Sequence, residues 1–346
     1  MSKALDVDSV LTARRDYNAQ LARAAGERKR ATGTALALLA VLAVFPLVQL
    51  SGINFNYPLH MLLYTFMYVT MASSWNILGG YAGYISLGHN VFFGIGAYFS
   101  GMIVVFWGIS PFVTAPLAGM LASLVGFVVG LITLRVRGPS FIISTIALLM
   151  MFRLVFDNWQ FVGGTGGVTL PLIDLPVQWV KVPYYYAFLL IAVLTVIASY
   201  RIKHSKFGLG LRAISQDEVK AESAGIDTRM YKVLAFAISA IPVGMVGAIW
   251  GDYLNYIRPN IFLIILIAAN IVLMAILGGK GTVAGPIVGA ILLIAFNEAV
   301  VAYFGATQIN ILGTGVLMLL VLMFFPQGVV GSLSRAGKLP RFLDWD

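Results

Sequence analysis

The side chains of this sequence that could carry out chemistry are few, and their spacing matches no common catalytic arrangement. The chain contains no cysteine and only three histidines, which excludes disulfides, thiolate metal sites and cysteine nucleophiles. Neither a His-Glu-x-x-His nor a Gly-x-Ser-x-Gly pattern occurs, which argues against zinc proteases and serine hydrolases of those kinds. We therefore predict no catalytic residue, no metal site and no enzyme activity for this chain.

Three glycine-rich stretches look like nucleotide-binding loops but lack the features that hold phosphate. Residues 278–282 lack the glycine spacing that a P-loop has before its Lys and Thr, and residues 163–167 contain no Lys. Residues 208–213 fit a dinucleotide pattern, but no buried strand precedes them. The chain is expected to bind no nucleotide and no other cofactor. Residues 163–167 instead predict a turn, in which Thr165 contacts a partner or substrate.

Other polar side chains lie inside long apolar stretches, where they could line a path through a membrane. Polar groups are costly there and mark either a pathway or a hydrogen bond between helices. The run 79–101 is rich in glycine and is expected to form an interrupted or tightly packed helix. Arg153 and Asp157 are one helical turn apart and are predicted to pair. With Thr165, the candidate path residues are Ser86, His89, Asn90, Asn270 and Glu298.

The chain that positions these residues is strongly hydrophobic. Of its 346 residues, 60% are hydrophobic and 11% are charged, whereas soluble domains have about a quarter charged residues. The sequence therefore predicts an all-α polytopic membrane protein, because its apolar runs are too continuous for barrel strands. Ten runs are long enough to cross a membrane. They are 32–50, 58–78, 84–107, 111–134, 139–156, 183–200, 231–250, 261–277, 283–304 and 309–325.

The positive charges follow the orientation expected of a membrane protein. If both termini are cytoplasmic, 20 of the 23 Lys and Arg residues lie on the cytoplasmic side and two on the outer side. The net charge of +9 therefore needs no nucleic-acid partner. The tails 1–31 and 332–346 flank a membrane domain, 32–331. A re-entrant 84–107 would change the parity of this topology.

One long charged segment, residues 201–230, interrupts the apolar runs on the predicted cytoplasmic side. Gly208 and Gly210 are expected to break the helix that leaves the sixth run. Residues 214–224 then favour a short helix, which Gly225 ends. Such a helix can dock on another protein or form an ordinary surface helix, and its composition leaves both interpretations open.

Sequence blocks along the chain resemble ABC importer permeases of the branched-chain amino acid, LivM-like type. The resemblance covers about residues 58–331. In chain order the blocks are GGYAGYISLGHNVFFGIGAY, GPSFIISTIALLMMFRLVFDNWQFVGGTGG, FGLGLRAISQDEVKAESAGIDTRMYKVLAFAISAIPVGMVGAIWG, ILGGKGTVAGPIVGA and FPQGVVG.

This resemblance implies about ten transmembrane helices and a cytoplasmic coupling helix at 212–226. It implies a homologous permease subunit, two ATP-binding subunits that bind the ATP, and a periplasmic solute-binding protein as partners. The location implied is the bacterial cytoplasmic (inner) membrane, with lipid around the chain and alternating access as the mechanism. The implied ATPase-coupling residues are Arg212, Asp217, Glu218, Ala221 and Gly225.

Some positions depart from the pattern of this family. The coupling signature keeps Ala221 and Gly225 but lacks its glutamate. Tyr84 stands where Gln is common, and Asn90 where Ala is common. Residues 163–167 lack an acidic residue.

These departures leave the substrate open. Branched-chain or hydrophobic amino acids are favoured, with urea, amides, sugars or nucleosides as alternatives for the same machinery. A different class is an ion-coupled secondary transporter, for which Glu298 would supply the carboxylate. A membrane-embedded enzyme is disfavoured because catalytic pairs are missing.

Overall fold

Long apolar helices make up most of the chain. The computed structural model describes residues 33–34, 37–51, 55–136, 138–176, 179–305, 309–325 and 327–335. The predicted tail 1–31 lies outside them, as does the part of the tail 332–346 beyond residue 335. The helices are α1 Ala37–Val48, α2 Asn56–Asn76, α3 His89–Trp107, α4 Pro111–Thr133, α5 Pro139–Asn158, α6 Lys181–Lys203, α7 Lys206–Gln216, α8 Glu218–Ser223, α9 Thr228–Tyr253, α10 Pro259–Phe262, α11 Ile265–Gly278, α12 Gly285–Phe304, α13 Ile309–Phe324 and α14 Gly328–Arg335.

Seven helical segments of the described chain are long and apolar enough to cross a membrane. They are α3, α4, α5, α6, α9, the combined stretch Pro259–Gly278, and most of α12. The all-α, polytopic fold class is therefore confirmed. The count of ten spans stays a prediction, because α1 and α13 are shorter and α2, although 21 residues long, carries more polar side chains.

Rows of small residues bring the backbones of α3, α4 and α9 into contact. Ala118 and Ala122 of α4 are buried, and a Cβ atom added to Gly244 of α9 would lie 2.6 Å from the Cβ of Ala122. A Cβ on Gly96 would overlap the carbonyl of Gly244. Small residues permit such close approach between helices in lipid. The small residues therefore let α3, α4 and α9 pack closely.

Two of the membrane segments are interrupted. After α2 the chain forms a π-helical turn, Ile77–Tyr81, and then a non-helical stretch that we call the 82–88 segment. The predicted run 84–107 is therefore helical only from His89 onward. The second interruption separates α10 from α11, where Ile264 is extended with φ −105° and ψ 139°.

The expected helix break at Gly208 and Gly210 is wrong, because both residues lie inside α7. The chain turns instead at Ser205, whose hydroxyl caps α7 by accepting from the Gly208 N–H at 3.1 Å. It turns again at Asp217, which is extended with φ −160°, so the single helix predicted for 214–224 is divided at this residue. A side chain at Gly208 would overlap the carbonyl of Ile202. These glycines therefore allow α7 to fold back against its neighbours rather than ending a helix.

The opposite end of α9 carries a short antiparallel β-ladder. Val168–Thr169 (β1) pairs with Tyr256–Ile257 (β2), with Val168 opposite Ile257. The glycine-rich loop before β1 forms two 3-10 turns, Gln160–Val162 and Gly164–Gly166. The ladder therefore connects this loop to the end of α9.

Candidate functional site

The two interrupted segments meet at Asn90. Its side-chain Nδ2 donates to the carbonyl oxygen of Ile264 at 2.9 Å. A helix interruption frees backbone groups that lipid cannot satisfy, and here a side chain from the first turn of α3 satisfies one of them. Interrupted helices that face each other within a bundle are typical of substrate pathways.

His89, the neighbour of Asn90, joins α3 to α9. Its Nε2 lies 2.9 Å from the hydroxyl of Ser239, and that hydroxyl donates to the carbonyl of Phe236 at 2.8 Å. Since the single hydroxyl hydrogen is used in this way, Nε2 of His89 is the donor to Ser239. Nδ1 of the neutral ring is then an acceptor.

Two buried acceptors on these consecutive residues have no hydrogen-bond partner within the described chain. They are Nδ1 of His89 and Oδ1 of Asn90, and both side chains are buried. An unsatisfied buried polar atom costs about 1–3 kcal/mol. Such atoms are well suited to accept hydrogen bonds from a polar solute that enters the bundle.

Ser86 holds the 82–88 segment in shape. Its carbonyl accepts from Nε1 of Trp75 at 2.7 Å, and its hydroxyl accepts from the N–H of Gly88 at 3.2 Å. The N–H of Leu87 donates to the hydroxyl of Thr145 in α5 at 3.1 Å. The segment is thus tied to α2 and α5 immediately before the two acceptors.

The other predicted path residues have different neighbours. Glu298 accepts from the hydroxyl of Tyr57 at 2.8 Å, and Tyr57 lies in the first turn of α2, the far end from the 82–88 segment. Asn270 is half-buried and lies close to Tyr68 of α2. Thr165 is exposed and lines an open cavity of about 270 Å³. Of the six candidates, only Ser86, His89 and Asn90 lie together, where the 82–88 segment meets the start of α3.

The predicted ion pair beside this cavity is present. Nε of Arg153 lies 3.7 Å from the carboxylate of Asp157. Both side chains are partly exposed, so the pair contributes little to stability.

The predicted coupling residues shape the turn between α7 and α9. Arg212 donates to the carbonyl of Lys203 at 2.9 Å. Asp217 caps α8 by accepting from the N–H groups of Val219 and Lys220, each at 3.1 Å. These N–H groups and the Lys220 side chain lower the pKa of Asp217, with the Lys220 N–H contributing most.

Gly225 ends α8, as the sequence predicts. The N–H of Ile226 donates to the carbonyl of Ala221 at 3.1 Å, and that of Gly225 to Glu222 at 3.0 Å. This pair of bonds is a Schellman motif, which needs a left-handed residue after the helix. Gly225 supplies it with φ +87°.

Glu218 points into the protein, where it meets Tyr84, already noted as a departure from the family pattern, and Lys232, which no sequence pattern singled out. Its carboxylate lies 2.6 Å from Nζ of Lys232 in the second turn of α9, and it accepts from the hydroxyl of Tyr84. Nζ of Lys232 also lies 3.2 Å from the Tyr84 hydroxyl and 4.5 Å from the centre of its ring. We call these three residues the Glu218–Lys232–Tyr84 cluster.

Exposed apolar side chains lie on the same turn. Val219 of α8 and Leu209 of α7 are both exposed. They are the large apolar groups there that are available to a partner. Sequence periodicity gave no reason to select them.

The described residues contain no group of three His, Cys, Asp or Glu side chains that could hold a metal ion.

Residues 57–325 match a protein family described as branched-chain amino acid transport system, permease component. The chain is 27% identical over 303 residues to the high-affinity branched-chain amino acid transport system permease protein LivM of Escherichia coli, covering 80% of this chain and 70% of that protein. It is 26% identical over 288 residues to the corresponding LivH of Escherichia coli, covering 76% and 91%. No solved structure matches the chain.

Proposed function

The chain belongs to the family of permease components of branched-chain amino acid transport systems, and from that premise we propose that it is the membrane permease subunit of an ABC importer for leucine, isoleucine and valine. It is a multi-pass membrane protein. It would move its solute by alternating access, driven by separate ATP-binding subunits. It would have no enzyme activity, because ATP would be bound by those subunits.

The observation that carries this proposal is the meeting of two interrupted segments at Asn90 and Ile264, beside the buried acceptors of His89 and Asn90. Two acceptors suit the N–H donors of an amino-acid ammonium group. The surroundings are aromatic and apolar, since the His89 ring packs on Phe92 and Phe236. That combination favours a solute with one polar end and one apolar end.

Docking of the ATP-binding subunits is assigned to α7 and α8. These helices lie outside the apolar spans and expose Leu209 and Val219. A short rigid helix with an apolar contact can transmit a push from a partner. The positive-inside distribution supports a cytoplasmic position for this turn and for both termini.

The remaining partners follow from the family. The chain would pair with a homologous permease subunit, as the separate LivM and LivH relatives suggest. A periplasmic solute-binding protein would deliver the solute to the end that carries the β-ladder. The complex would lie in the bacterial inner membrane.

The solute class can be tested with the full chain assembled with its ATP-binding subunits in liposomes. ATP hydrolysis and uptake should respond to binding protein loaded with leucine, isoleucine or valine. A response only to urea, ribose or adenosine would replace the amino-acid assignment. Uptake of leucine without ATP-binding subunits would instead favour an ion-coupled transporter.

Docking can be tested with Val219→Asp, which places a charge on the exposed apolar position of α8. We expect the ATP-binding subunits to copurify less well with this variant. Leu172→Asp is the control, because Leu172 is also apolar and exposed but lies in the loop after β1. Equal copurification of both variants with wild type would contradict docking through Val219.

A further inference from the structure

Three separate parts of the chain converge on Glu218. The residue begins α8, Lys232 belongs to the membrane helix α9, and Tyr84 belongs to the 82–88 segment. Thr228 of α9 adds a weaker hydrogen bond to the same carboxylate, at 3.4 Å. The short helix is therefore bonded to a span and to an interruption at a single point.

The cluster is built to be stiff. The Lys232 and Glu218 side chains are only 3% and 12% exposed, and their charged atoms lie 2.6 Å apart. Hydrogen bonds between charged groups are the stronger kind, and buried pairs are screened little by salt. The other ion pair of α8, Asp217 with Lys220, has side chains 39% and 85% exposed. Of these two pairs, the buried one joins α8 to α9, whereas Asp217 and Lys220 lie on the same helical turn.

Tyr84 carries the contact into the 82–88 segment. Its hydroxyl bonds to both charged residues, and its ring packs edge-on against Phe141 of α5, with centroids 5.4 Å apart. The preceding residue, Gly83, lies against Ser215 of α7; a Cβ atom built on Gly83 would be 3.5 Å from the Ser215 Cβ. Two neighbouring residues of the segment thus contact the α7–α8 turn.

The path from this contact to the buried acceptors is short. Ser86 follows Tyr84 by two residues, and the segment ends at Gly88, directly before His89 and Asn90 in the first turn of α3. Between Tyr84 and His89, Ser86 and Leu87 are hydrogen-bonded to Trp75 and Thr145. If α8 displaces Tyr84, these few residues have to change conformation, and His89 and Asn90 directly follow them.

We propose that the Glu218–Lys232–Tyr84 cluster is the link that transmits movement of the α7–α8 turn to the 82–88 segment, so that it positions His89 and Asn90 in step with the ATP-binding subunits. The cluster residues are positioning residues and do not touch the solute. This inference rests on the proposed function, because it needs a partner that moves α8.

The first test is Tyr84→Phe, which removes the hydroxyl and keeps the ring. The full chain is assembled with its ATP-binding subunits, and copurification, ATP hydrolysis and leucine uptake are measured on one preparation. Copurification should be unchanged, while leucine transported per ATP hydrolysed should fall about tenfold, within the usual range of coupling free energies. Tyr186→Phe is the control, because it removes one tyrosine hydrogen bond, to the carbonyl of Ala43, at the other end of the bundle.

An unchanged ratio of leucine to ATP in Tyr84→Phe would overturn the link. If wild type takes up leucine without ATP-binding subunits, or does not assemble with them, the proposed function fails instead. The two failures are therefore distinguishable. A ratio that falls equally in Tyr186→Phe would also overturn the link, since the effect would then be a general one.

The second test uses the absence of cysteine from the chain. Gly83→Cys combined with Ser215→Cys should form a disulfide, because the Cβ separation of 3.5 Å is at the short end of the usual range. If α7 and the segment move as one unit, the oxidised protein should retain the uptake of its reduced form. Loss of uptake on oxidation, with recovery on reduction, would show relative movement and overturn the proposal. A cysteine at position 83 is strained, because Gly83 has φ +78°, so assembly of the double variant with the ATP-binding subunits is checked first. A double variant that assembles but does not cross-link would place the two positions apart and overturn the proposal as well.

Discussion

The ion pair between Glu218 and Lys232 gives the sharpest energetic prediction. Lys232→Met leaves the Glu218 carboxylate buried without its cation, and breaking a buried pair in this way costs about 3–5 kcal/mol. Adding Glu218→Gln removes the uncompensated charge, so the double variant should recover part of that loss. We expect a coupling energy of about 2–3 kcal/mol, because the charged atoms are 2.6 Å apart and almost fully buried.

The assay is a double-mutant cycle on the full chain in detergent micelles. Unfolding is titrated with a denaturing detergent and followed by the fluorescence of the six tryptophans. The matched control is the exposed pair of the same helix, Asp217 with Lys220, at 3.1 Å. Its cycle uses Asp217→Asn, which keeps a capping side chain, and Lys220→Met. Exposed pairs couple by about 0.2–1 kcal/mol, so the control should lie well below the buried pair.

Equal coupling energies in the two cycles would refute this reasoning, because burial would then make no difference. A single Lys232→Met variant as stable as wild type would refute it too. That result would mean that the Glu218 carboxylate reaches water or another cation once Lys232 is gone.

Three further predictions concern packing, a helix end and pH. Gly247→Val should lower the unfolding free energy by about 3 kcal/mol, because a Cβ atom there overlaps the backbone of α3. Gly315→Val is the control, since a Cβ atom on Gly315 of α13 has no neighbour within 4 Å, and it should lower the unfolding free energy far less in the same detergent titration. Equal losses in the two variants would contradict this prediction. Gly225→Ala should destabilise the end of α8 by about 1–2 kcal/mol, because alanine is strained at the positive φ of this position. The amides at the end of α8 should then exchange hydrogen faster than in wild type. Unchanged exchange would show that the positive φ causes no such strain. Because the pKa of Asp217 is lowered in the folded state, its cap on α8 is fully present above the ordinary carboxyl pKa of 3.8 and is lost as the pH falls through the lower folded-state pKa. Protection of the amides at the start of α8 from hydrogen exchange should therefore fall over the same pH range. In Asp217→Asn this protection should no longer depend on pH in that range.

Local patterns were sufficient for much of the fold. Continuous apolar runs predicted helices in a membrane, since lipid cannot satisfy open backbone groups. Gly225 predicted the end of α8. The pairing of Arg153 with Asp157 followed from their spacing on one helix. In each case the atoms that decide the outcome lie within a few turns of one another.

Local patterns misplaced the break before α7. Gly208 and Gly210 are residues that often break a helix, but both lie inside α7. Glycine is needed at these positions because α6 and α9 pack too closely against α7 for any side chain. The need for space came from Ile202 and from the ring of Tyr231. Neighbours of this kind cannot be identified from helix propensity.

The sequence by itself determined the membrane class, the all-α architecture and the family, because composition and local order fix these. The tertiary structure decided that Lys232, which counts in the sequence as one more cytoplasmic charge, is buried against Glu218. It also decided that Glu218 meets Tyr84, 134 residues away, and that Asn90 satisfies Ile264, 174 residues away. Contacts between such distant residues depend on how whole helices pack, and helix packing is set by shape and available space that no short pattern records.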